Sequence, residues 1–205
     1  MNTLIRFLKN TTGHPGKLLC LHLILFSVIL VLLQSFQSHL LFKRDAIQTG
    51  EIWRILTGNL VHTNYYHLAL NLAGVLFLCL LFSDYLKVRV FYISLLICSM
   101  SVGMGIYLFN PELQWYAGLS GALYGLFFFA ASLALRHRDF IGSLPILIGI
   151  PAKLAWDSQH TNFTQHSAEL INAPVATDAH IYGLIAGICI SISMAIVQHK
   201  TAKTN

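Results

Sequence analysis

Residues 113–135 read LQWYAGLSGALYGLFFFAASLAL and contain no Asp, Glu, Lys or Arg. A charge-free stretch of this length exceeds the ~18–20 apolar residues that carry a helix across ~30 Å of hydrocarbon. Four more stretches share the property: Leu18–Phe42, Ile55–Ser83, Val90–Pro111 and Ala179–His199. Phe140–Trp156 is a weaker sixth, interrupted by Lys153 near one end. The pattern predicts six helices, at Leu18–Phe36, His67–Ser83, Val88–Phe109, Ser120–Leu135, Phe140–Trp156 and Ala179–Val197. The expected fold is an all-α membrane bundle over residues 18–198, between a cytoplasmic segment 1–17 and a cytoplasmic tail 199–205.

Composition agrees. Of the 205 residues 56% are hydrophobic and 10% charged, whereas a soluble domain carries about a quarter charged. Disorder is excluded by the same numbers. The net charge of +5 sits in short clusters between apolar runs, without the basic stripe a nucleic-acid binder needs. The lipid bilayer is the expected surrounding. The first helix follows basic residues, as a signal peptide would, but no small-x-small cleavage site follows it.

Lys and Arg set the expected orientation. Arg6, Lys9, Lys17, Lys87, Arg89, Arg136, Arg138, Lys200 and Lys203 fall on one side; Lys43, Arg44, Arg54 and Lys153 fall on the other, with six of the eight acids. The positive-inside rule puts both termini in the cytoplasm. The longer connections Gln37–Tyr66 and Asp157–Asp178 then lie outside, and Trp53, Tyr65 and Tyr66 suit the membrane interface. Cys20, Cys79, Cys98 and Cys189 fall inside spans with no Cys-x-x-Cys pair, and read as small apolar fillers.

Polar groups inside spans are costly and therefore informative. The second span opens with His67 and Asn71, one turn apart on one face; alone they could simply hydrogen-bond between helices. The fourth opens Gly118-Leu119-Ser120-Gly121-Ala122-Leu123-Tyr124-Gly125, a serine flanked by small residues that a substrate backbone can approach. Ala122 breaks the hydrolase Gly-x-Ser-x-Gly pattern. The sixth places His180, Gly183 and Gly187 on one stripe. If that stripe meets Gly121 and Gly125, imidazole and hydroxyl come within hydrogen-bond reach, as an activated nucleophile requires.

Depth decides between glue and chemistry. Rises of 1.5 Å put Ser120 roughly 23 Å, His67 about 24 Å and His180 about 26 Å from the cytoplasmic ends of their helices. All three lie a few Å below the outer surface. Three separate spans agree.

With these residues in place, the chain resembles the rhomboid intramembrane serine proteases along nearly its whole length. The matching residues are Trp53-Arg54, the His62…His67-x-x-x-Asn71 run, Gly118-Leu119-Ser120-Gly121, Tyr124, and Ala179-His180-x-x-Gly183-x-x-x-Gly187. The resemblance implies Ser120 as nucleophile and His180 as general base, without a carboxylate. It implies His67, Asn71 and the Ser120 N–H as oxyanion donors, Tyr124 packed on the His180 ring, and His62 in a supporting role. Brevity, the Glu51–Gly58 run, Lys153–Trp156 and the Pro174-Val175 approach to Asp178 look most like the rhombosortases. Tyr124 departs from their pattern, in which a histidine is often found. Rhombosortases are bacterial and are thought to process surface proteins with a C-terminal Gly-Gly motif, one apolar helix and a basic end. The expected partner is thus a transmembrane substrate with a C-terminal anchor, at the bacterial inner membrane.

No cofactor or metal is expected, since His-Glu-x-x-His is absent. A haem or quinone carrier would use His67 and His180 but leaves Gly-Leu-Ser-Gly unexplained. A Ser–Lys peptidase would need Lys153, which more simply snorkels to the interface. A dead scaffold would be expected to lack Ser120 or His180. His14, His137 and His199 are assigned to cytoplasmic ends, His160 and His166 to the last outer loop, and His22 to a backbone partner. Gln114, Tyr116 and Ser120 could line a water-filled cavity.

Overall fold

Where the chain leaves the apolar spans, it must satisfy its backbone before it can turn back. The computed structural model describes residues 15–159 and 168–204 and shows how. Helix α1 (Pro15–Leu33) passes through a 3-10 turn, Gln34–Phe36, into α2 (Gln37–Leu40), strand β1 (Phe42–Lys43) and α3 (Arg44–Gln48). Helix α4 (Arg54–Thr57) and a second 3-10 turn, Gly58–Leu60, lead into α5 (Tyr65–Phe82). Then come α6 (Val88–Phe109), strand β2 (Trp115–Tyr116), α7 (Ser120–Arg136), α8 (Phe140–Gln159) and α9 (Thr177–Thr204). His14, His160, His166 and segment 1–14 lie outside the described residues.

Five of these helices are long and apolar enough to cross a membrane: Gly16–Leu40, Tyr65–Phe82, Val88–Phe109, Phe140–Gln159 and Thr177–Val197. The sixth expected span, α7, is apolar but shorter, at 17 residues. It is the central helix. Its sides are closed by α5, α6, α8 and α9, and Gly121, Ala122, Leu126, Phe129, Ala130 and Ala134 are all buried. The surrounding helices turn large apolar groups outward, such as Ile24 at 63%, Leu80 at 66% and Ile148 at 65% exposed. In water such faces would be costly; facing lipid they are the expected ones.

The loops on the Ser120 side of the bundle are more structured than their sequence suggests. Strand β1 pairs antiparallel with β2, Phe42 opposite Tyr116 and Lys43 opposite Trp115. Arg44 is buried and donates to the carbonyls of Ile106 (2.8 Å), Tyr107 (2.9 Å), Asn110 (2.8 Å) and Leu113 (3.2 Å). The C-terminal carbonyls of α6 have no intrahelical donors, and a cation is favoured there by the helix dipole. Arg54 pairs with Glu51 at 2.5 Å and donates to the Ser38 and Leu41 carbonyls. Together these contacts fix the segment that leads into Ser120.

Several expectations change. The first helix ends at Leu33 rather than Phe36 before its 3-10 turn, and the last begins at Thr177 and runs unbroken to Thr204, so residue 199 marks no break. Cys20 and Cys79 are not separate fillers; they form a disulfide between α1 and α5 with Cα atoms 5.6 Å apart. Pairing across 59 residues depends on which helices pack, and no local motif records it. Cys98 is buried and Cys189 exposed. His22 meets a side chain, not the backbone: its Nδ1 lies 3.4 Å from the Tyr92 hydroxyl.

Candidate active site

Asn64 starts α5. Its backbone is extended and its side chain accepts from the His67 N–H at 2.7 Å, an N-cap that orients the first turn. That turn aims His67 and Asn71 inward, and both are buried. Gly118 sits at φ +141°, where only glycine is comfortable, and a Cβ there would come within 2.6 Å of the His67 ring. Its N–H donates to the Gly58 carbonyl (3.1 Å) and its carbonyl accepts from the Tyr116 hydroxyl (2.7 Å). Burial raises the Tyr116 pKa, so that hydroxyl stays a donor. The loop therefore delivers Ser120 to the first position of α7, where backbone N–H groups have no intrahelical acceptor.

Helix α9 is held on the other side by its own start. Asp178 accepts from Asn110 Nδ2 at 2.6 Å, Tyr182 donates to Asn110 Oδ1 at 2.8 Å, and Ser101 donates to the Tyr182 carbonyl at 2.9 Å. Glycines let α9 lie directly on α7: a Cβ on Gly121 would meet the Ala179 carbonyl oxygen at 2.8 Å, and one on Gly125 the Gly183 carbonyl oxygen at 2.2 Å. Backbone contact of this kind needs small residues on both helices. As a result Ser120 Oγ and His180 Nε2 stand 2.9 Å apart. Tyr124 stacks on the His180 ring, with centroids 4.4 Å apart and planes 12° from parallel. The His180 Nδ1 is buried with no partner among the described residues.

Two cavities meet at this pair. One, of about 530 Å³, is lined by Gln114, Tyr116 and Ser120 together with Asn110, Glu112 and Asp178. The other, of about 540 Å³, lies between α5 and α8 and is lined by Asn71, Gly74, Tyr124, Ile146 and Gly149. His67, Ser120, Ile171, Val175 and His180 line both.

The family model described as Rhomboid domain matches residues 49–196. The chain belongs to the rhomboid family. No curated protein matches it. Rhomboid proteins are generally intramembrane serine proteases, and this rhomboid chain is a multi-pass membrane protein with an all-α bundle.

Some contacts around the Ser120–His180 pair were not visible in the sequence. Lys153 does not simply snorkel outward; it pairs with the buried Asp157, and both line the cavity that contains Tyr124 and His180. The spacing of four along one helix was the available signal. Gln34 clamps the His62 backbone in both directions, with its Nε2 on the His62 carbonyl (2.7 Å) and its Oε1 on the His62 N–H (2.9 Å). Thr63 and Asn64 donate to the Ile171 and Leu170 carbonyls, at 2.6 Å and 3.1 Å, and so tie the segment before α9 to the start of α5.

His62 packs edge-on against His67, with ring centroids 5.1 Å apart, and is fully buried with neither ring nitrogen partnered among the described residues. Burial holds its imidazole far below the ordinary value, at about 3, with His67 a smaller cause. An unfolded histidine takes its proton near pH ~6.5. Stability complete above that pH is therefore lost as pH falls from about 6.5 toward 3. The variant His62→Phe keeps a ring and should flatten this slope in thermal denaturation. An acid sensitivity equal to that of the unaltered protein would exclude His62 as its source.

Proposed function

We propose that the chain is a serine endopeptidase of the rhombosortase kind, cutting a single-span membrane protein near the periplasmic end of its helix. The observation that carries this reading is the 2.9 Å contact between Ser120 Oγ and His180 Nε2 at the junction of the two cavities. For Nε2 to accept, the neutral ring must hold its proton on Nδ1. Ser120 Oγ adds to the substrate carbonyl as its proton passes to His180, and the imidazolium so formed lies face to face with the Tyr124 ring, which favours a cation. The oxyanion forms beside the Ser120 N–H, at the positive end of α7, and beside the Asn71 amide. Asn71 Nδ2 gives one hydrogen to the His67 carbonyl at 3.0 Å, which leaves the second for substrate. His67, the third donor the resemblance implies, shares the cavity wall. Proton return to the leaving amine and attack by water complete the cycle.

In this reading six helices span the bilayer of a bacterial inner membrane, both termini are cytoplasmic, and the first cavity faces the periplasm. The substrate carries a C-terminal anchor: a glycine-rich segment, one apolar helix and a basic end. Glycine weakens helix and leaves no side chain to clash around Ser120. Purified protein mixed with such a substrate should give two fragments whose masses place the cut in the glycine segment. Leucine or valine in place of those glycines should stop cleavage. Unchanged cleavage would reject the rhombosortase assignment while leaving the Ser120–His180 reading in place.

A further inference from the structure

An imidazole that takes a proton from a hydroxyl must be kept from turning, and in a triad a third group holds its far nitrogen. His180 has no such group. Its Nε2 meets Ser120 Oγ, while its Nδ1 is buried without a partner among the described residues. The ring is held by its face instead, with Tyr124 stacked on it at 4.4 Å between centroids. A stacked ring fixes its neighbour only as far as it is itself fixed, and Tyr124 is half-buried on the wall of the second cavity. Lys153 supplies the missing hold, since its ammonium reaches the Tyr124 hydroxyl. The same ammonium pairs with Asp157, one turn further along α8. An ammonium has three hydrogens and no lone pair, so the Tyr124 oxygen and the Asp157 carboxylate both accept from it.

A charged pair inside an apolar span is costly and marks function by default. A lysine that needed only a counter-charge would be served by Asp157 and could run out to the interface. Here Tyr124 comes from α7, Lys153 and Asp157 from α8, and His180 from α9, and all four line one cavity. We propose that Lys153 is a positioning residue: anchored by Asp157, it holds the Tyr124 hydroxyl and so keeps the His180 ring aimed at Ser120. The inference rests on the Ser120–His180 reading and deepens it. The row does for this base what a carboxylate on Nδ1 does in a triad, by fixing the face of the ring rather than its edge. No proton moves along it. It acts whenever Ser120 gives up its proton, whatever the electrophile, and leaves the strength of substrate binding alone.

The test uses the full-length protein in detergent, with a fluorophosphonate probe for Ser120 reactivity and a cleavable transmembrane substrate for turnover. Lys153→Met and Tyr124→Phe should each lower the labelling rate and kcat together, about tenfold, with KM unchanged to within about twofold. Adding Lys153→Met to Tyr124→Phe should cost nothing more, because phenylalanine gives the ammonium nothing to hold. Lys153→Arg, which keeps the cation and its donors, should restore both rates. Lys153→Met leaves the Asp157 carboxylate buried without its cation. The pair variant Lys153→Met/Asp157→Leu, apolar at both positions, serves if the single one does not fold. A KM that rises while labelling is unchanged would overturn the proposal, because Lys153 would then act on substrate. A further loss in the Tyr124→Phe background would overturn it too, since Lys153 would reach the base by another route. Normal labelling and turnover in a Lys153→Met protein of lowered thermal stability would reduce the pair to a structural one, and the proposal would fall. Failure of the unaltered protein to label at Ser120 would instead remove the reading on which it stands.

Discussion

Ser120→Ala and His180→Ala should each reduce proteolysis by at least about 10³-fold, and the double variant should be no slower than either single one. In the proposed mechanism the two side chains share one proton transfer across 2.9 Å. Without the hydroxyl there is no atom to acylate; without the imidazole the hydroxyl keeps its proton. Two independent contributions would instead multiply in the double variant. Neither change should unfold the bundle. Ser120 stands at the first position of α7, so its loss opens little space, and Tyr124 continues to cover position 180. Turnover measured beside a thermal transition in the same detergent separates the effects. A folded Ser120→Ala protein that still cuts its substrate would exclude Ser120 as nucleophile.

What the sequence made legible is what one-dimensional spacing records. Apolar lengths located the long helices with ends within three residues, apart from the last, which runs past Val197 to Thr204, because the requirement they express is the thickness of hydrocarbon and nothing in it stops a helix that continues beyond. The meeting of Ser120 with His180 followed from depth and from two glycine stripes, since close helix approach is written in small residues four apart. The stacking of Tyr124 came from family resemblance alone. By contrast, Cys20 with Cys79, Arg44 on the end of α6, Gln34 on His62 and Thr63 on Ile171 join segments far apart in sequence. Three of the four involve backbone groups, which look alike at every residue. Such contacts depend on how loops return over the bundle, and no periodicity anticipates that.

Helix crossing should be as demanding as the dyad itself. A Cβ built on Gly183 lies 1.8 Å from the Gly121 carbonyl oxygen and 2.6 Å from its carbon. These are backbone atoms that cannot rotate away. Gly121 adjoins Ser120 and Gly183 lies one turn beyond His180, so whatever separates them also separates Ser120 from His180. Room for even one methyl requires a displacement of more than 1 Å, and the 2.9 Å hydrogen bond has little to spare. Gly183→Ala should therefore lower kcat by about 10²-fold or more and destabilise the bundle by ~1–3 kcal/mol through overpacking. Gly183→Leu should prevent the crossing altogether. Cys189→Leu, on the exposed face of the same helix, should change neither property. Turnover and thermal stability measured on the three variants test the contact. A fully active Gly183→Ala enzyme would mean that α9 does not lie on α7 along this face, and the alignment of Ser120 with His180 would then need another cause.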